Sequence, residues 1–207
     1  MVAINRKSFF DYVRGHLFDG SLKQAQVDGL TAILDKWEGE MADADDRWLA
    51  YMLATAHHET GRTMQPVRET FARTDDRAIA ILERAFRAGR LPWVSTPYWR
   101  KDADGKSWLG RGLVQLTHKA NYVKMARATG LDLVGRPELA MDLKTAVDIL
   151  FHGMIHGSFT GRKLSDYFAG RKQEWENARR IINGEDKKML VASYAKEYYA
   201  AISYTTG

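Results

Sequence analysis

Residues 43–61 read DADDRWLAYMLATAHHETG. The acids Asp43, Asp45 and Asp46 suit the positive end of a helix dipole. Leu49, Met52, Leu53 and Ala56 then recur at helical spacing, and Gly61 supplies the usual left-handed stop. The stretch predicts a helix that ends on His57-His58-Glu59, a titratable cluster at a rigid terminus.

The same pattern extends in both directions. Leu22, Val27, Leu30, Ile33, Leu34 and Trp37 mark a preceding helix, with Ser21 as its expected cap and Gly39 near its end. Asp75 and Asp76 lead into a third, with Ile79, Leu82 and Phe86 and a stop at Gly89. Helical patterning returns at about 118–129, 143–156, 173–182 and 186–202, and Pro137 suits the first turn of a short helix. Between Arg90 and Gly112 lie Pro92, Pro97, Trp93, Trp99, Trp108 and the turn Asp104-Gly105, which read as loop with a short hairpin. No long alternating strand is present. The expected fold class is mainly α, in one catalytic domain spanning 1–207, with about 66–108 as a small lobe or loop region over a groove.

Composition narrows the function. The 207 residues contain no cysteine, which excludes a disulfide framework, a thiolate zinc site and a cysteine nucleophile. Hydrophobic residues at 45% and charged residues at 28% are globular values. The formal net charge of +5 suits an anionic polymer without saying which one. No apolar run approaches the roughly 20 residues of a membrane span, so no stable membrane insertion is expected. The N-terminal MVAINRKSFFDYVRGHLFDG lacks the apolar core of a secretory signal.

Three segments could carry chemistry. In the first, Glu59 at a helix end can act as a general acid if it faces a cleft; the plain alternative is a solvated carboxylate. The histidines are adjacent, point about 100° apart and lack the second ligand four residues on, so no metal site is read there. Glu69 follows ten residues later in Pro66-Val67-Arg68-Glu69-Thr70. Paired carboxylates are the equipment of glycoside hydrolysis, while an ion pair with Arg68 or Arg73 is the simpler role for Glu69. Asp75, Asp76 and Glu83 are other candidates for a second acid.

The second segment is Gly110-Arg111-Gly112-Leu113-Val114-Gln115-Leu116-Thr117-His118, followed by Asn121 and Tyr122. It lacks the third glycine of a dinucleotide fingerprint and the Lys-Ser/Thr of a P-loop. Its neutral amides and hydroxyls suit a sugar better than a phosphate, or Thr117 simply caps a helix. The third, His152 and His156, has metal-ligand spacing without an evident third ligand. The basic pairs Arg162-Lys163, Arg171-Lys172, Arg179-Arg180 and Lys187-Lys188 read as solvated faces.

Taken together, His58-Glu59-Thr60-Gly61, the Gly110–Thr117 segment with Asn121-Tyr122, and Ile182-Asn183-Gly184 resemble glycoside hydrolase family 19, the plant-type chitinases and a set of bacteriophage endolysins. Ala50–Glu59, Met64–Glu69 and Phe159–Tyr167 are similar to endolysins of phages that infect Gram-negative bacteria. The resemblance implies a lysozyme-like helical body with a substrate groove. It gives Glu59 the role of general acid, Glu69 that of general base in an inverting reaction, and Thr117 that of holding the attacking water. It places His58, Gln115, Asn121, Tyr122 and Asn183 at substrate-contacting positions, with no metal and no cofactor. The expected activity is muramidase-type cleavage of peptidoglycan for host lysis. The protein would be a monomer held in the host cytoplasm until a separate membrane pore releases it, with no nucleic-acid partner. A chitinase acting on chitin oligomers and a non-catalytic wall-binding module are the alternatives.

Overall fold

The computed structural model describes residues 4–203. Seven α-helices, four short 3-10 segments and two pairs of two-residue strands make up the regular structure of that range, so the protein is mainly α. The chain forms two compact units: one from the residues up to Gln65 together with those from Leu150 onward, the other from Pro66–Ile149.

The first unit is built around α3 (Asp46–Glu59). Asp45 caps it by accepting from the Arg47 amide, and Asp46 sits in its first turn, as the acidic run predicts. Every residue from Leu49 to His57 is buried, so α3 is enclosed on all sides rather than amphipathic. It packs along α7 (Lys188–Ser203), as does α1 (Arg6–Leu17) through Phe9, Val13 and Leu17. The sequence reading did not include α1, where Asn5 caps the first turn through the Ser8 amide.

α2 (Gln24–Glu40) buries Leu30, Ile33, Leu34 and Trp37. It starts after Lys23 rather than at the expected cap Ser21, because the Gln26 side chain reaches back to accept from the Lys23 amide at 2.8 Å. The chain leaving α3 is then tied to α2. Gln26 Nε2 donates to the Arg62 carbonyl at 2.9 Å and Gln65 Nε2 to the Ala25 carbonyl at 2.6 Å. At Gly29 the two backbones nearly touch, and a Cβ there would lie 1.8 Å from the Met64 carbonyl oxygen. Gly29→Ala must push that strand of chain away. Overpacking of this kind costs about 1–3 kcal/mol, read as a fall of several degrees in Tm by calorimetry. An unchanged Tm would show that the contact is slack.

The helix expected over 173–182 is absent. In its place are a hairpin of β3 (Phe168–Ala169) with β4 (Lys172–Gln173) and a 3-10 segment, Asn177–Ile181. Trp175, Ala178 and Ile181 are all buried at intervals of three, which matches the three-residue repeat of a 3-10 helix rather than 3.6.

The second unit opens with β1 (Val67–Arg68), whose antiparallel partner is β2 (Arg111–Gly112), in register Val67↔Gly112 and Arg68↔Arg111. The hairpin expected within 90–112 therefore does not form. The Asp104-Gly105 turn closes through Asp102 and Lys106, but the strand from this stretch pairs with residues that precede α4 (Asp75–Arg87). Thr74 caps α4, with Asp75 and Asp76 in its first turn. Ala78 and Leu82 of α4 form a core with Trp99 and Leu109, onto which Phe86, Leu91, Val94 and Tyr98 pack. α5 (Lys119–Thr129) ends at the left-handed Gly130, and Pro137 starts a 3-10 turn, Pro137–Met141. α6 (Leu143–His156) carries the chain from this unit back into the first. No described helix is long and apolar enough to cross a membrane.

Candidate active site

Glu59 is the last residue of α3, and its side chain is 15% exposed. Its Oε1 accepts from Arg179 Nη1 at 2.6 Å, whereas Oε2 has no hydrogen-bond partner among the described residues. Arg179 is 3% exposed and also donates through Nε to the Asp186 carbonyl at 3.0 Å. The expectation of a solvated Arg179-Arg180 pair thus fails for Arg179, whose guanidinium is buried to meet the carboxylate. Arg180 is exposed and pairs with Glu185. No local pattern marks Arg179, because its partner lies 120 residues away.

The neighbours of Glu59 divide by face. His57 is buried, hydrogen-bonded through Nδ1 to the Tyr198 hydroxyl at 2.9 Å and packed against Phe18 and Tyr194. Burial first, then the charges of Arg62 and His58, lower its pKa to about 4, so it is a neutral core residue. His58 is half-buried, and its pKa is also lowered, by burial and by Arg179 against the pull of Glu59. Asn183 is exposed on the turn after the 3-10 segment; its amide donates to the Arg179 carbonyl and its side chain accepts from Gly184. The Ile182-Asn183-Gly184 motif therefore belongs to the segment that delivers Arg179.

In the second unit the site residues gather at Gly110. A Cβ on Gly110 would lie 2.8 Å from Gln115 Oε1, 3.2 Å from Thr117 Cγ2 and 3.3 Å from Glu69 Cβ, so only glycine lets the three side chains meet there. Glu69 donates its amide to the Gly110 carbonyl at 2.7 Å. Its carboxylate accepts from the Gly110 amide at 2.9 Å and from the Tyr98 hydroxyl at 2.7 Å. The expected ion pair with Arg68 or Arg73 is not made. Arg68 turns instead to Asp75, at 2.6 Å, and to the Arg73 carbonyl.

The other candidate acids are held by cations: Asp75 by Arg68 and Arg111, Asp76 by Lys101, and Glu83 by Arg87 and Arg100. Burial raises the Asp75 pKa, but hydrogen bonds from Arg111 and Arg68 outweigh it and leave the carboxyl below its ordinary value. Glu69 differs from these acids in taking its hydrogen bonds from neutral groups.

Gln115 donates to the Val67 carbonyl at 2.9 Å, and Asn121 to the Thr117 carbonyl at 2.8 Å. Thr117 does not cap α5. His118, at φ 65°, occupies that position without a side-chain cap, and the Thr117 hydroxyl has no partner among the described residues. Tyr122 is fully buried and donates to the Leu109 carbonyl while accepting from Arg111, and burial pushes its pKa up to about 12. Its ring and hydroxyl are thus engaged inside the unit, and it supports the site through Arg111. Immediately after Glu69, Thr70 and Phe71 both adopt left-handed backbone, at φ 66° and 57°, and the Phe71 ring is 61% exposed. Strain of this sort in non-glycine residues concentrates at functional sites.

The rings of His152 and His156 lie 4.5 Å apart between centroids, tilted by 42°, and no group of three metal-ligating side chains occurs among the described residues.

A sequence model described as chitinase class I, of glycoside hydrolase family 19, matches residues 38–185. The chain belongs to this family. Glu59, Glu69, the Gly110 cluster, Arg179 and Asn183 all fall inside the matched range, whereas α1, most of α2 and all of α7 lie outside it. Among curated relatives, Endochitinase A2 of Pisum sativum is 32% identical over 96 residues, 40% of this chain and 29% of that protein. Chitinase 8 of Oryza sativa subsp. japonica is 34% identical over 96 residues, 40% of this chain and 36% of that protein. The chain spans about a third of the length of the curated relatives it matches.

Proposed function

We propose that this family 19 protein hydrolyses the glycosidic bonds of bacterial peptidoglycan with inversion, as a lysozyme-type endolysin. Glu59 protonates the glycosidic oxygen as the bond to the anomeric carbon breaks. Glu69 takes a proton from the water that attacks that carbon, and the Thr117 hydroxyl holds this water. Gln115, Asn121, His58 and Asn183 offer hydrogen bonds to the sugars, and Phe71 offers a ring face. On this reading the protein acts as a monomer, and a separate membrane pore lets it reach the wall.

The observation that carries the hydrolase reading is the state of Glu69: an acid freed from cations, fixed on both oxygens by neutral donors, beside an unengaged Thr117 hydroxyl. The charge distribution supports the wall as substrate. Residues 66–149 contain fifteen Lys and Arg against ten Asp and Glu, while the rest of the chain contains sixteen of each. The whole excess of +5 thus lies on the unit that bears Glu69, which suits the carboxylates of peptidoglycan better than neutral chitin. The relatives' names favour chitin as the second reading.

The test is to incubate the protein with purified Gram-negative sacculi and, separately, with N-acetylglucosamine hexamer, and to analyse products by mass spectrometry. Soluble muropeptides with reducing N-acetylmuramic acid ends are expected from the sacculi. Hexamer cleavage with intact sacculi would replace this reading with the chitinase one, and binding to sacculi without product would leave a wall-binding module.

A further inference from the structure

We infer that Tyr98 is the positioning residue for Glu69, and that the aromatic-rich stretch 90–108 exists to brace it. The inference rests on the reading of Glu69 as the base. A carboxylate has about four lone-pair sites. The Tyr98 hydroxyl takes one on Oε1 and the Gly110 amide one on Oε2, so the carboxylate cannot rotate and its remaining lone pairs keep fixed directions. Water activation needs that fixity, since small misplacements of a catalytic group cost large factors in rate.

Tyr98 is itself rooted. Its ring packs on the Ala78, Leu82, Trp99 and Leu109 core, lies 5.1 Å from the Trp99 ring and 4.3 Å from the His118 ring, and its carbonyl accepts from the Trp108 amide at 3.2 Å. The loop beyond it is stapled: Ser107 Oγ donates to the Trp99 carbonyl at 2.6 Å, and Asp102 accepts from Trp108 Nε1 and Lys119 Nζ. Burial and the bond to Glu69 both push the phenol pKa above its ordinary value, so Tyr98 remains a donor across the working pH range. The sequence offered no sign of this, because the pair is 29 residues apart and Tyr98 sits in a stretch without periodicity.

The experiment compares wild type, Tyr98→Phe, Glu69→Gln and the double variant on whichever soluble fragment, muropeptide tetrasaccharide or chitin hexamer, the wild type cleaves. Loss of a hydrogen bond to a charged group predicts a fall in kcat of about 10- to 100-fold for Tyr98→Phe, with KM within about twofold. In the Glu69→Gln background the same change should alter the residual rate less than about twofold. An equal loss in both backgrounds, or a raised KM with kcat intact, would overturn the inference. Amide exchange at Gly110 reads the clamp without any substrate: Tyr98→Phe should speed it about tenfold and leave the α4 amides unchanged. Unaltered exchange there would also overturn the inference. If Glu69→Gln keeps its rate, the base assignment falls, and the Gly110 amide still reports whether Tyr98 holds the carboxylate.

Discussion

Glu59→Gln is expected to lower kcat by about 10²–10⁴-fold, the span of positioned acid catalysis, with KM little changed. Glutamine matches the shape of glutamate and its amide oxygen can still accept from Arg179, so sugar binding and the end of α3 should persist. What it cannot do is deliver a proton to the leaving oxygen. An interaction made only in the transition state shows up in kcat and in kcat/KM together. The variant should also be less stable than the wild type, because Arg179 is 3% exposed and loses its countercharge. Rates must therefore be taken well below the variant's Tm, with the folded circular dichroism spectrum as control. A folded variant that keeps more than about a tenth of wild-type kcat would remove Glu59 from the mechanism. A rise in KM with unchanged kcat would make it a binding residue only.

What could be read in advance follows the range of the interactions. α3 was legible because its cap at Asp45, its acidic first turn and Gly61 are all local. α6 was legible from its apolar period alone, from Leu143 to His156. The stretch around Trp175, Ala178 and Ile181 was misread because a period of three sampled over two turns resembles 3.6. Gln115, Thr117 and Glu69 were singled out, but nothing in their order says that Gly110 brings them together; that depends on the pairing of β1 with β2. Arg179, Tyr98 and Asp75 act through partners 120, 29 and 36 residues away, beyond any local pattern. Burial adds what the motif does not state: the arginine of the Gly-Arg-Gly run is 1% exposed.

That arginine supports the second large prediction. Arg111 Nη2 donates to Asp75 at 2.5 Å, and Nη1 reaches the Ser107 and Leu109 carbonyls and the Tyr122 hydroxyl. Arg111→Met keeps much of the volume and removes every donor. Breaking a buried pair by removing one partner typically costs about 3–5 kcal/mol. The lower end is expected here, because Asp75 is 32% exposed and keeps Arg68. Denaturant unfolding at neutral pH should show this loss, and amide exchange should confine it to residues 66–149. The pH dependence carries a sign. The Asp75 pKa is depressed in the folded protein, so its pair stabilises above the unfolded value of about 3.9, and that contribution drains away as pH falls through the folded pKa. Wild type loses this stabilisation in acid and the variant has less of it to lose, so the gap between them should narrow below about pH 4. A gap that stays constant across that range would mean that Arg111 stabilises through the carbonyls and Tyr122 rather than through Asp75. Equal stability at neutral pH would mean that it is dispensable to the fold, and the Gly110 cluster would then have to be held by the β1–β2 pairing alone.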